Sequence, residues 1–222
     1  MGKLIVLEGT DGSGKSTQFA LLKQRLESEG RSFHTIVFPQ YDQPSSALIR
    51  MYLGGEFGPN PADVNAYAAS AFYAVDRFAS FRKVWGEEYR KGGLILADRY
   101  TSSNAVHQAA KVLEPIRPDF FRWLYDLEYV RFGLPVPDLV LYLDVPTEIS
   151  ETLLRKRESD THTQADIHEQ DLDYLRTCRR TGLQAAAFYG WSVVSCAKKG
   201  QLRAVEDIHE ELYQKVLSVI EK

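Results

Sequence analysis

What this 222-residue sequence has little of already excludes several classes of function. It holds two cysteines, Cys178 and Cys196, in no CxxC spacing, so there is no disulfide framework and a reducing compartment suits it better than secretion. Both are expected to be small buried residues. Long apolar runs are missing too. The first, Leu4 to Leu7, falls far below the ~18 residues of a membrane span, and Met1-Gly2 is followed by Val6 where a myristoylation start needs Ser or Thr. The sequence therefore reads as cytoplasmic, with no membrane partner. Nor is one sign of charge in excess. With 27 Lys+Arg against 30 Asp+Glu and a net charge of -3, the chain is not built to hold nucleic acid by neutralising its phosphates.

What is present is enough for a large core. Hydrophobic residues make up 44% of the chain and aromatics 12%, which argues against global disorder and for a single domain over residues 1–222. Leu4-Ile5-Val6-Leu7, closed by a Gly-rich turn, predicts a strand buried on both faces. Phe19, Leu22 and Leu26 predict a helix from Ser16 onward, ended by Gly30. Further strands are expected at Phe33–Phe38, closed by Pro39, and at Leu94–Ala97, Leu139–Val145 and Trp191–Cys196.

Between them, Asn60-Pro61 reads as a cap with proline at the first helical position, opening a helix that stops near Gly92-Gly93. Helical patterns also occupy Ser103–Lys111, Asp119–Phe132, Pro146–Arg157, Glu169–Tyr189 and Val205–Ile220. This alternation predicts an α/β fold, a five-stranded parallel sheet with helices on both faces. Glu158 to Ala165 has no apolar periodicity and is expected to be a mobile loop.

Gly9-Thr10-Asp11-Gly12-Ser13-Gly14-Lys15-Ser16 matches GxxxxGK[ST] between a predicted strand and a predicted helix, the context of a P-loop NTPase fold. Its glycines let backbone N–H groups turn inward on a phosphate, and the helix N-terminus adds partial positive charge. Lys15 can reach the β- and γ-phosphates of ATP, and the Ser16 hydroxyl suits Mg²⁺. Gly9 through Thr17 is thus the expected ATP site: Gly9, Thr10, Asp11, Gly12, Ser13, Gly14, Lys15, Ser16 and Thr17. The guanine-reading tetrapeptide [NT]KxD is absent, which disfavours a GTP switch. Asp98-Arg99 ends the third strand at the sheet edge where open α/β folds bind ligands. Asp98 can hold Mg²⁺, directly or through water, and Arg99 can clamp a phosphate; a structural Asp–Arg ion pair is the alternative.

These residues resemble the thymidylate kinase family along nearly the whole chain. The likeness is carried by Glu8 to Gln18, Phe38-Pro39-Gln40-Tyr41, Tyr73-Ala74-Val75-Asp76-Arg77, Asp98 to Asn104, Pro137-Asp138-Leu139-Val140 and Asp166-Ile167-His168-Glu169. It implies transfer of the γ-phosphoryl of ATP to dTMP with Mg²⁺, giving dTDP and ADP. The acceptor is already an ionised phosphate, so no strong base is needed, and catalysis can rest on positioning and charge. By the same resemblance Asp11 meets the sugar 3′-hydroxyl, Tyr73 stacks on thymine, and Arg77 reads a base carbonyl. Asn104 and His107 lie where the family contacts base and sugar, Tyr41 belongs to the substrate set, and Arg99 contacts the acceptor phosphate. A lid at about 155–166 brings Arg155 and Arg157 to the transferring phosphoryl; many relatives carry that arginine in the P-loop, where this chain has Gly12. The family commonly forms homodimers, and Ala66 to Phe81 can supply such a face or be a core helix.

The sequence also departs from the family. Gln40 replaces an arginine that many members carry, which removes a phosphate contact from that point, and whether Arg50 compensates stays open. Ser159 to Ala165 holds no arginine, and His162 and His168 lack a convincing third metal partner. Lys198, Lys199 and Gln201 fit either an adenine-side contact or a simple polar turn. Two other functions compete. A deoxynucleoside kinase would need a carboxylate base after the second strand, where Gln40 and Tyr41 stand. A non-enzymatic nucleotide-binding module would be expected to have lost Lys15 or Arg99.

Overall fold

The computed structural model describes residues 1–161 and 172–221. Five parallel strands, β1 (Lys3–Gly9), β2 (His34–Val37), β3 (Leu94–Asp98), β4 (Leu139–Asp144) and β5 (Ser192–Ser195), form one sheet in the order β2-β3-β1-β4-β5. The helices are α1 (Lys15–Ser28), α2 (Ala47–Leu53), α3 (Ala66–Ser80), α4 (Gly86–Arg90), α5 (Thr101–Ser103), α6 (Arg117–Tyr125), α7 (Thr147–Thr161), α8 (Leu172–Tyr189) and α9 (Val205–Ile220). Wide π turns join α3 to α4 over Phe81–Trp85 and extend α5 over Asn104–Gln108 and α6 over Asp126–Arg131.

Alternation along β1 divides the core. Ile5 and Leu7 face α1 and α9 with Leu96, Leu141 and Leu143, whereas Leu4 and Val6 face Trp85, Tyr89 and Tyr100 with Ile95 and Val140. Both faces of the central strands are therefore covered, which is why they read as unbroken apolar runs. Phe19, Leu22 and Leu26 are buried as the α1 spacing requires, and truncating Leu26 to alanine would cost about 2–5 kcal/mol.

Two boundaries differ from the sequence reading by more than two residues. The helix expected from Asn60-Pro61 begins at Ala66. Asn60 and Asp63 close a capping box around a single turn, Pro61–Asp63; Val64 is extended with φ -109°, and Asn65 then caps α3 by accepting the Ala68 N–H at 2.9 Å. Proline opened a single turn here rather than the helix, because the extended Val64 ends it after Asp63. The loop expected from Glu158 is helical through Thr161, since the backbone bonds of α7 carry it past its buried Leu154. Residues 162–165 of that loop lie outside the described residues, as do 169–171, so α8 is described from Leu172. Helix α2 was not anticipated. Among the described residues, no helix is long and apolar enough to cross a membrane.

Candidate active site

β1 and β3 pair with Leu7 opposite Asp98, so the Gly-rich turn after β1 and the Asp98-Arg99 step emerge side by side at the carboxyl edge of the sheet. In the turn, Gly12 and Gly14 have φ near +73°, and the Ser13 N–H donates to the Thr10 carbonyl at 3.2 Å. α1 starts without a side-chain cap, leaving its first N–H groups for an anion. Lys15, buried, stands 3.1 Å from Asp98 Oδ1, while Ser16 and Thr17 open the helix with exposed side chains. Gly12 is pressed under α7: a Cβ there would meet the Ser150 main-chain oxygen at 2.4 Å.

Arg99 is the junction of the site. Its backbone is left-handed at φ +68°, a strained conformation for a residue with a side chain, and its N–H donates to Leu7 O at 3.1 Å. The guanidinium pairs with Asp11 through Nη2, while Nη1 lies 3.1 Å from His107 Nε2 and 3.6 Å from Glu8 Oε1. Burial opposes its charge, but Asp11 and Glu8 outweigh that and raise its pKa. His107 responds in the opposite direction: burial and then the Arg99 charge push it down to about 4. It is therefore neutral at ordinary pH, and Nε2 accepts from Arg99. Glu8 itself is fully buried and accepts the Ser102 and Ser103 hydroxyls at 2.8 and 2.7 Å and the Gly9 N–H at 2.9 Å.

Next to Arg99 opens a cleft of about 150 Å³. Asp11, Tyr41, Tyr73, Arg77, Arg99, Asn104 and His107, the seven residues expected at the acceptor, all line it. Phe38, Pro39, Leu53, Tyr100, Ser103 and Gln108 complete the wall; Phe38, Pro39, Tyr100 and Ser103 belong to the family motifs, which carry no role for them in the site. The Phe38–Pro39 peptide is cis.

Arg77 is no surface residue. It is 1% exposed, and Nε and Nη2 bind both oxygens of the fully buried Glu128 at 2.6 and 2.7 Å. Burial works against the guanidinium, yet the Glu128 charge holds its pKa above the usual value. Asn104 Nδ2 donates to Glu128 Oε1 and to Ser70 O, each at 3.1 Å. Glu128 carried no signal in the sequence, because it lies 51 positions from Arg77.

Gln40 lies in the loop after β2, and Arg50 in α2 reaches back to that loop. The Gln40 N–H donates to Asp76 at 2.9 Å, and Arg50 Nη1 bonds Ser46 Oγ at 2.6 Å, the Gln43 carbonyl at 3.2 Å and the Tyr41 carbonyl. Arg50 thus ties down the loop that presents Tyr41. Arg155 is not among the cleft residues; its side chain is 73% exposed and pairs with Glu151 one turn earlier. Arg157 continues the α7 backbone, but its side chain, like His162, His168 and the Asp166–Glu169 motif, lies outside the described residues. Lys198 and Gln201 pair in a short hairpin, β6 (Ala197–Lys198) with β7 (Gln201–Leu202), whose central Lys199 and Gly200 both have positive φ, as a two-residue hairpin turn requires.

Among the described residues, the buried Asp98 Oδ1 accepts no hydrogen bond beyond its ion pair with Lys15. A carboxylate oxygen without a hydrogen-bond donor suits a hard cation that takes its other ligands from phosphate and water. Among the described residues, no three His, Cys, Asp or Glu side chains gather into a metal centre of their own.

The thymidylate kinase family model matches residues 7–211. Over 192 residues the chain is 34% identical to the thymidylate kinase of Mycobacterium tuberculosis, covering 85% of this chain and 87% of that one. It is 30% identical over 227 residues to the probable thymidylate kinase of Thermococcus gammatolerans, covering 99% and 100%. With the probable thymidylate kinase of Thermococcus kodakarensis it shares 29% over 220 residues, covering 98% and 96%.

Proposed function

The chain belongs to the thymidylate kinase family, and on that premise we propose how its cleft works. The enzyme moves the γ-phosphoryl of ATP to dTMP, giving dTDP and ADP. An oxygen of the dTMP phosphate attacks the γ-phosphorus, the bond to the β–γ bridging oxygen breaks, and ADP leaves with that electron pair. The attacking group is an anion already, so the protein's task is to align two phosphates and offset their repulsion. The observation that carries this reading is Arg99, which touches Asp11 of the phosphate loop on one side and His107 of the cleft on the other. It stands between the places where the two nucleotides would meet.

Lys15 and the Gly9–Thr17 backbone hold the ATP phosphates, and Arg99 holds the acceptor phosphate. Asp11 accepts from the sugar 3′-hydroxyl, Tyr73 stacks on the base, Arg77 and Asn104 read its edge, and Tyr41 and His107 flank sugar and phosphate. Three cations of the site already face a carboxylate, Lys15 with Asp98, Arg99 with Asp11 and Arg77 with Glu128. The pairs keep long side chains placed before a ligand arrives. Ser16 and Asp98 would hold Mg²⁺, which when bound neutralises phosphate charge. Arg155 and Arg157 supply the remaining positive charge from α7, consistent with a P-loop whose Gly12 has no room for a side chain.

The same reading takes the chain as one domain acting in the cytoplasm, where two buried unpaired cysteines are at home. It acts as a homodimer, supported by the exposed apolar side chains of Val75, Phe78 and Val84 along α3 and its wide turn. Calorimetric titration tests the acceptor assignment. Saturable binding of dTMP, with thymidine much weaker, is expected if Arg99 holds the phosphate; equal affinity for the two would reject that role.

A further inference from the structure

The buried carboxylate of Glu128 has no place in the phosphoryl transfer, yet it binds both cleft residues assigned to the edge of the base. It takes Nε and Nη2 of Arg77 at 2.6 and 2.7 Å and Nδ2 of Asn104 at 3.1 Å. The second hydrogen of that Asn104 amide goes to Ser70 O, also at 3.1 Å. Both donors of the amide are thus spent on the protein, which fixes its orientation and leaves the Oδ1 acceptor for a ligand. Arg77 lines the cleft, and its Nη1, which gives one long bond of 3.3 Å to Tyr100 O, keeps a second N–H to donate.

We propose that Glu128 is the positioning residue for base specificity, fixing Arg77 as donor and Asn104 as acceptor so that the cleft accepts a 4-carbonyl, N3–H pyrimidine and rejects a 4-amino one. The inference rests on the reading that Arg77 and Asn104 meet the base. Thymine and uracil offer a carbonyl acceptor beside an N–H donor, which matches this polarity. Cytosine offers an amino donor beside a bare nitrogen acceptor and would oppose it at both atoms. An amide free to flip could serve either base; with Glu128 Oε1 and Ser70 O both demanding its N–H groups, flipping would set Oδ1 against two acceptors. Pairing with Glu128 also cancels the Arg77 charge, so Arg77 acts as a directional donor while Arg99 remains the phosphate ligand.

The test is the ratio of kcat/KM for dTMP to that for dCMP in Glu128→Gln and Glu128→Asp. Aspartate keeps the charge but withdraws the oxygens by one methylene, so it separates placement from neutralisation and has the better chance of folding. Both variants are expected to lower the ratio roughly tenfold or more, the worth of a misdirected buried hydrogen bond, with the KM for ATP unchanged. An unchanged ratio in a folded variant, or full retention of selectivity by Glu128→Asp, would overturn the role of Glu128. If neither variant folds, nitrogen-15 spectra of arginine side chains in the ligand-free enzyme decide, with Arg77→Lys assigning the signal: a slowly exchanging Arg77 Nε–H is expected, and a freely averaging one rejects the proposal. Arg77→Ala and Asn104→Ala test the underlying reading separately. Wild-type dTMP binding in both would show that the base is not met here at all; weakened binding there with unchanged Glu128 variants would remove only the present inference.

Discussion

The α-carbon of Gly12 faces the main-chain oxygen of Ser150 so closely that a β-carbon would come within 2.4 Å of that oxygen and 2.9 Å of Leu154 Cγ. With φ at +73° as well, Gly12→Ala is expected to cost about 1–3 kcal/mol, read as a lowered Tm. Moving a catalytic arginine into the P-loop should fail for the same reason: Gly12→Arg is expected not to restore turnover to an Arg155→Ala enzyme. Recovery to the wild-type rate would show that α7 yields easily.

Arg155 offers a cleaner kinetic test. Its exposed pairing with Glu151 is an i,i+4 contact worth about 0.3–0.5 kcal/mol, so Arg155→Ala should barely alter Tm. If its charge reaches the transferring phosphoryl, kcat falls by about 10²–10³ while both KM values stay close to wild type. Unchanged turnover in Arg155→Ala combined with Arg157→Ala would remove α7 from the chemistry.

Arg77→Ala should weaken dTMP binding by about 10–100-fold, the range of a charged hydrogen bond, and leave ATP binding intact. It also strands the fully buried Glu128 carboxylate, a loss of about 3–5 kcal/mol, so affinities must be compared below the lowered Tm. Equal loss for both nucleotides would mean that Arg77 only supports the fold.

His107 sets a pH dependence of stability. The unfolded chain takes up its proton near pH 6.5, while the native site resists until about 4. Between those values the unfolded state binds more protons, so stability falls as pH drops through the window. His107→Gln should flatten the decline in Tm between pH 6.5 and 4. An identical slope in the variant would show that His107 titrates normally.

The sheet and the phosphate loop were legible because both are local. Buried parallel strands must be apolar throughout, as Leu4 to Leu7 and Leu94 to Ala97 are, and a loop that wraps phosphate with N–H groups needs its glycines at fixed places. The start of α3 was not legible, since Asn60-Pro61 and Asn65 both look like caps and only the extended Val64 between them decides. Glu128 was hidden for a different reason. In the run Leu127-Glu128-Tyr129 it resembles a solvated helix residue, and its importance comes from Arg77 and Asn104, brought to it from distant parts of the chain. The resemblance to a family, rather than spacing, was what gathered Tyr41, Tyr73, Asn104 and His107 into one expected site, and the cleft holds all four.

The most direct measurement is ADP release with ATP and Mg²⁺ over a panel of acceptors: dTMP, dUMP, dCMP, UMP, AMP and thymidine. Turnover should be highest with dTMP and near background with thymidine, which lacks the phosphate that Arg99 is placed to hold. A higher kcat/KM for any other acceptor, or phosphorylation of thymidine ahead of dTMP, would contradict the assignment.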